Sequence, residues 1–123
     1  MERLEVSKPI ENFLAFMREC ESQYHMAEAE EQETSGLIND ILHSLELEDH
    51  SYHEFANLGK ELKEARQRRR TAKYIKLTVQ PVLAWTDENR NVIKGLERLL
   101  GDVRKAEKNT ENRIYTPRCR SQK

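Results

Sequence analysis

Apolar residues recur at helical spacing from Ile10 onward. Ile10, Phe13, Leu14, Met17 and Tyr24 lie along one stripe, and Ile38, Ile41, Leu42 and Leu45 form another. Between them, Glu28 to Ser35 is almost wholly polar, but no proline interrupts it. The pattern therefore predicts one helix over about 9–47, with Pro9 in the first turn, where a missing amide N–H costs nothing. Gly36 and the acidic middle are its weak points, and two helices joined near 34–36 are the alternative.

Ser51 followed by Glu54 is the spacing of a capping box, so a second helix should start at Tyr52. Its seam reads Phe55, Leu58, Leu62, Ala65, Ala72, Val79 and Leu83 over about 52–85. Pro81 should kink or restart it, because proline removes a backbone donor. Thr86 is a candidate N-cap for a third helix over about 87–111. Val92, Ile93, Leu96, Leu99, Leu100 and Val103 give that helix a clean apolar face. Gly95 and Gly101 weaken it and point to close helix contact. Pro117 ends helical continuation beyond Thr116.

No strand pattern is visible. The fold expected is all-α: three long helices in an elongated antiparallel bundle, coiled-coil-like, forming one domain over 1–112. A basic tail over 113–123 follows. The apolar face of the third helix exceeds what the polar middle of the first can cover, which favours a homodimer.

Composition supports a thin seam over a thick core. The 123 residues are 35% charged and 37% hydrophobic, against roughly 25% and 45–50% in ordinary globular domains. The net charge of −1 hides an asymmetry. Residues 1–54 carry three basic and fourteen acidic side chains, whereas 55–123 carry eighteen basic and eight acidic. The two halves can pair with each other or face different partners.

The sharpest chemical feature is "ARQRRRTAKY", residues 65–74. Lys60, Lys63, Arg66, Arg68, Arg69, Arg70, Lys73 and Lys76 fall in one short stretch. On a helix Arg66, Arg69, Arg70 and Lys73 share one side, while Arg68 points elsewhere. Continuing the seam places Arg69 at the core edge, where its stem could lie along apolar surface. Such a stripe could pair with the acidic first helix, bind a protein, or track phosphates. Stacking aromatics are scarce, with only Tyr74 close, which counts against a single-strand binder.

Asp40, His43 and Glu46 turn through too wide an arc on a helix to converge, and His50 and His53 sit at the cap beside Asp49 and Glu54. Glu28, Glu31, Glu46 and Asp49 can be read as the paired acidic elements of an all-α, magnesium-dependent nucleotide pyrophosphatase. No nucleophile triad or phosphate-cradling glycine loop accompanies them. Cys20 and Cys119 match no metal or redox spacing and read as free thiols in a reducing cytosol. No secretory leader and no membrane-spanning apolar run is visible, so a cytoplasmic location is expected.

"NDILHSLELED", "ELKEARQRRRTAK", "LLGDVRKAEK" and "NRIYTPR" resemble short helical proteins of phages and prophages of Gram-positive bacteria. The likeness spans roughly residues 30–118. It implies an accessory protein that regulates phage processes, or binds and inhibits host machinery such as a defence nuclease. It transfers no active site.

The function expected is a non-enzymatic interaction protein that binds a host macromolecule, with a protein as partner. Its contacts would be Arg66, Arg69, Arg70 and Lys73, with Arg113, Tyr115, Arg118 and Arg120 of the tail. Direct nucleic-acid binding by the same residues is the alternative, and the pyrophosphatase a second. No catalytic residue, metal ligand or cofactor is assigned.

Overall fold

The computed structural model describes residues 2–115, with side chains through residue 112. The described residues form three helices and no strand: α1 (Ser7–Leu47), α2 (Tyr52–Glu88) and α3 (Arg90–Tyr115). The contacts divide into two compact units. Unit 1 holds the residues up to Arg18 and those from Trp85 onward; unit 2 is Glu19–Ala84.

In unit 2, α1 and α2 run antiparallel. Arg68 of α2 meets Glu30 of α1, and Lys76, further along α2, lies against Tyr24, earlier in α1. Helix α1 stays continuous through its polar middle and through Gly36. The reason lies at Thr34, which is completely buried. Its hydroxyl donates to the Glu30 carbonyl at 2.8 Å, so a polar group sits in the seam already satisfied by its own helix. Ala27, Ala65 and Ala72 are buried with it. Small side chains let the two backbones approach closely, so the stretch poorest in large apolar residues is well packed.

The seam of α2 is a strict heptad series: Leu58, Leu62, Ala65, Arg69, Ala72, Lys76, Val79, Leu83, Thr86. That of α1 reads Met17, Cys20, Tyr24, Ala27, Glu31, Thr34, Ile38, Ile41, Leu45 in alternating steps of three and four. Upstream it reads Ile10, Leu14, Met17, so two steps of three fall together at 14–17–20. This is a stammer, which shifts the phase of the buried stripe, and it lies at the Arg18/Glu19 boundary between the units. The shift corrects the expected stripe at Phe13, which falls off the seam and is exposed; Leu42, one position off the 38–41–45 steps, and Phe55, in the first turn of α2, are exposed as well.

The capping box forms. Ser51 N–H donates to Glu54 Oε1 at 2.9 Å, and Glu54 N–H donates to Ser51 Oγ at 3.2 Å. This holds the Glu54 carboxyl below the ordinary glutamate range, first through the Ser51 backbone bond and then through its hydroxyl. His50 fastens the same turn. Its Nε2 lies 3.0 Å from both the Ser44 hydroxyl and carbonyl oxygens, and its ring meets Phe55 edge-on.

The junction after α2 differs from expectation. Helix α2 neither ends nor restarts at Pro81. Pro81 and Leu77, whose carbonyl loses its helical donor, are both exposed, so water can replace the missing bond. Thr86 is no N-cap but continues the heptad seam of α2. The break is Asn89 alone. Its Nδ2 donates to the Trp85 carbonyl at 2.8 Å, closing α2, while its own carbonyl accepts from Ile93 N–H at 3.1 Å, opening α3.

In unit 1, α3 runs antiparallel to the start of α1. Arg104 Nη2 donates to Glu11 at 3.0 Å and Ser7 N–H donates to Glu107 at 3.2 Å. Leu14 and Leu100 are buried, and Ile93, Leu96 and Val103 half-buried, whereas Val92 and Leu99 remain exposed. The apolar face of α3 is thus covered only in part. Gly95 and Gly101 do not mark close contact, because a Cβ built at either meets nothing within 4 Å.

Candidate protein-binding face

The basic stretch of α2 divides into two groups. Arg68 and Lys76 belong to the α1–α2 contact. Arg68 pairs with Glu30 across the helix pair, so the residue expected to point away is the one that reaches α1. Lys76 lies 3.6 Å from Glu31 and 3.9 Å from Glu28, with its ammonium 5.4 Å from the centre of the Tyr24 ring. Its side chain is only 21% exposed, because its stem occupies a seam position and its head emerges among carboxylates.

Arg66, Arg69, Arg70 and Lys73 form the second group. All four are exposed. None of their side chains has a hydrogen bond or ion pair among the described residues. Arg69 keeps the seam register but is exposed. With Tyr74 and Leu77 the four line a shallow groove of about 460 Å³. Arg66 and Arg70 also border a second hollow of about 340 Å³, with Gly59, Leu62 and Lys63. Tyr74 is 59% exposed. The face therefore offers unneutralised cations beside an open aromatic ring, a combination suited to carboxylates or phosphates together with a flat apolar group.

Arg113 and Tyr115 belong to the last turn of α3, but their side chains lie outside the described residues. Arg118 and Arg120 lie outside them altogether.

The acidic positions are not gathered into one centre. Glu28 and Glu31 face Lys76, and Glu46 is fifteen positions beyond Glu31 on the same continuous helix, about 23 Å at the α-helical rise. Asp49 lies past the end of α1 and is exposed. Among the described residues, no group of three or more His, Cys, Asp or Glu is placed to hold a metal ion. His43 and His53 are exposed, and Cys20 is buried as a free thiol. None of the described helices is long and apolar enough to cross a membrane.

Sequence reasoning missed two features. Glu107 caps α1 from a different helix, which no local motif reveals. Met26 and Ile75 sit beside an open groove of about 780 Å³ on the flank of unit 2 away from Arg66 and Lys73. The only hint of that groove is that both stand just off the heptad positions. Comparison with protein-family models, curated proteins and solved structures gave no match.

Proposed function

We propose that this chain is a non-enzymatic helical interaction protein that acts by binding a macromolecular partner through Arg66, Arg69, Arg70 and Lys73. The observation that supports this is the division within one basic stretch. Arg68 and Lys76 have carboxylate partners in α1, whereas these four have none among the described residues. Intramolecular pairing therefore gives no account of them. The resemblance to phage accessory proteins makes the partner a host protein with an acidic groove, a defence nuclease being one example, met in the host cytoplasm. Arg113, Tyr115, Arg118 and Arg120 would extend the contact.

Direct nucleic-acid binding is the second reading, favoured by exposed Tyr74 within the same groove. The two readings separate by experiment. Affinity capture from host cells, with the eluate treated or untreated with nuclease and read by mass spectrometry, should yield a protein that survives nuclease treatment. Binding to random DNA that falls steeply with salt, in proportion to phosphates neutralised, would favour the second reading instead.

A further inference from the structure

We infer that the basic face of unit 2 is covered, in the protein alone, by the acidic hairpin end of a second copy, the two α2 helices crossing antiparallel at Gly59. As regulation of that face the inference rests on the reading above, because a macromolecular partner must then displace the second copy. The pairing itself needs no such partner.

One stripe of α2 carries both halves of the contact. Tyr52, Phe55, Gly59, Leu62, Arg66 and Arg69 follow one another in alternating steps of three and four. Tyr52 is 91% exposed and Phe55 42%. Gly59 opens onto the hollow of about 340 Å³ that Leu62, Arg66 and Arg70 also line. A Cβ built at Gly59 meets nothing within 4 Å, so the hairpin itself leaves this space unfilled. Glycine is unfavourable in a helix interior, and what it permits in return is close approach by a second helix.

Charge selects the occupant. From residue 19 to residue 59 there is no lysine or arginine. The hairpin end exposes Glu46, Glu48, Asp49 and Glu54, and none of them pairs with a lysine or arginine among the described residues. Glu48 and Glu54 accept hydrogen bonds from Ser44 and Ser51, neutral groups that leave the carboxylate charge in place. Opposite them stand the four unpaired cations Arg66, Arg69, Arg70 and Lys73. Arg68 and Lys76 take no part, since α1 of their own chain already pairs them.

The geometry closes on itself. The point midway along α2 between Tyr52 and Arg69 lies between Gly59 and Leu62, at the hollow. A two-fold axis through that point turns the second copy end for end. Each Gly59 then receives the partner's Leu62, Tyr52 and Phe55 lie against the partner's Arg69 and Arg66, and Glu48 and Asp49 reach the partner's Arg70 and Lys73. Lys63, the other charge at the hollow, comes opposite Leu58 and not its own counterpart. A parallel pairing would instead lay the four cations on one another.

The test uses the full chain with Cys119→Ser, leaving Cys20 buried. Light scattering at tens of micromolar should give twice the 14.6 kDa chain mass. Gly59→Gln fills the hollow without a clash inside the chain, so it should give the single mass with unchanged helical circular dichroism. A wild-type monomer overturns the inference, and so does a dimer that survives Gly59→Gln. Orientation is read from Tyr52→Cys and Arg69→Cys, treated with a short bifunctional maleimide, alone and mixed. Cross-linked dimer only in the mixture is the expected result, because each position stands about 25 Å along the helix from its own counterpart. Cross-linking of either variant with itself, or none in the mixture, overturns the arrangement. The two proposals fail separately. A monomeric wild type that binds its captured partner removes the pairing alone, whereas a dimer abolished by Gly59→Gln in a protein that captures nothing removes the partner assignment alone.

Discussion

Glu107 of α3 accepts a hydrogen bond from the backbone N–H of Ser7, the first residue of α1, one hundred positions away in the chain. Helix α1 has no acidic residue in its own first turn, so this carboxylate supplies from a neighbouring helix what a local cap would give. The bond holds the Glu107 carboxyl below the ordinary glutamate range, chiefly through Ser7, with Arg104 a smaller contributor. A lowered carboxyl stabilises the fold while ionised. Its contribution is whole at neutral pH and is lost as the pH falls through the folded value. Glu107→Gln should therefore melt below wild type at pH 7, and the difference should vanish in acid. Thermal melts at several pH values read this directly.

The capping box offers a local counterpart. Ser51→Ala should cost ~0.5–2 kcal/mol by removing the acceptor for Glu54 N–H. Chemical denaturation followed by circular dichroism measures it.

At Thr34 the packing sets a size limit. Thr34→Ala keeps the close approach and should cost little, whereas Thr34→Leu forces methylenes into a closed seam at ~1–3 kcal/mol. The two substitutions compared by urea midpoint decide whether the polar middle of α1 is tightly packed.

Gly36 and Gly101 lie in helix interiors, where an added Cβ meets nothing within 4 Å. Gly36→Ala and Gly101→Ala should each stabilise by ~0.4–1 kcal/mol, because alanine loses less backbone freedom on folding. A loss of stability at either would reveal a contact that close approach requires.

What the sequence made legible was local. The Ser51–Glu54 box and the 3.6-residue periodicity are read within one helix turn, and both are present in the structure. The misplaced residues share a different cause. Phe13, Leu42 and Phe55 look like seam residues because they are large and apolar, yet the buried stripe changes phase at 14–17–20 and leaves Phe13 outside, Leu42 stands one position off the regular 38–41–45 steps, and Phe55 is exposed in the first turn of α2. The true seam centre, Ala27, Thr34, Ala65 and Ala72, looks weak by hydropathy because its contribution is closeness of approach. Asn89 carries no sequence signal because a single residue closes one helix with its side-chain amide and opens the next with its backbone carbonyl. In the basic stretch, periodicity grouped Arg66, Arg69, Arg70 and Lys73 correctly on one side. It could not show that Arg68 reaches Glu30, since that depends on the register between two helices.

The basic face gives the most direct test. Arg66→Gln, Arg69→Gln, Arg70→Gln and Lys73→Gln combined should leave the helical spectrum intact and shift the melting temperature only slightly, because exposed charges contribute ~0–1 kcal/mol each. Lys76→Gln, which removes a half-buried contact with Glu28, Glu31 and Tyr24, should lower stability more than Lys73→Gln alone. The decisive measurement is the affinity of the quadruple variant for the partner captured by wild-type protein, taken with its melting curve. Loss of binding by a hundredfold or more in a folded variant is the expected outcome, as charged contacts desolvated in an interface cost ~2–5 kcal/mol when truncated. Full binding by a folded quadruple variant would contradict the assignment of this face.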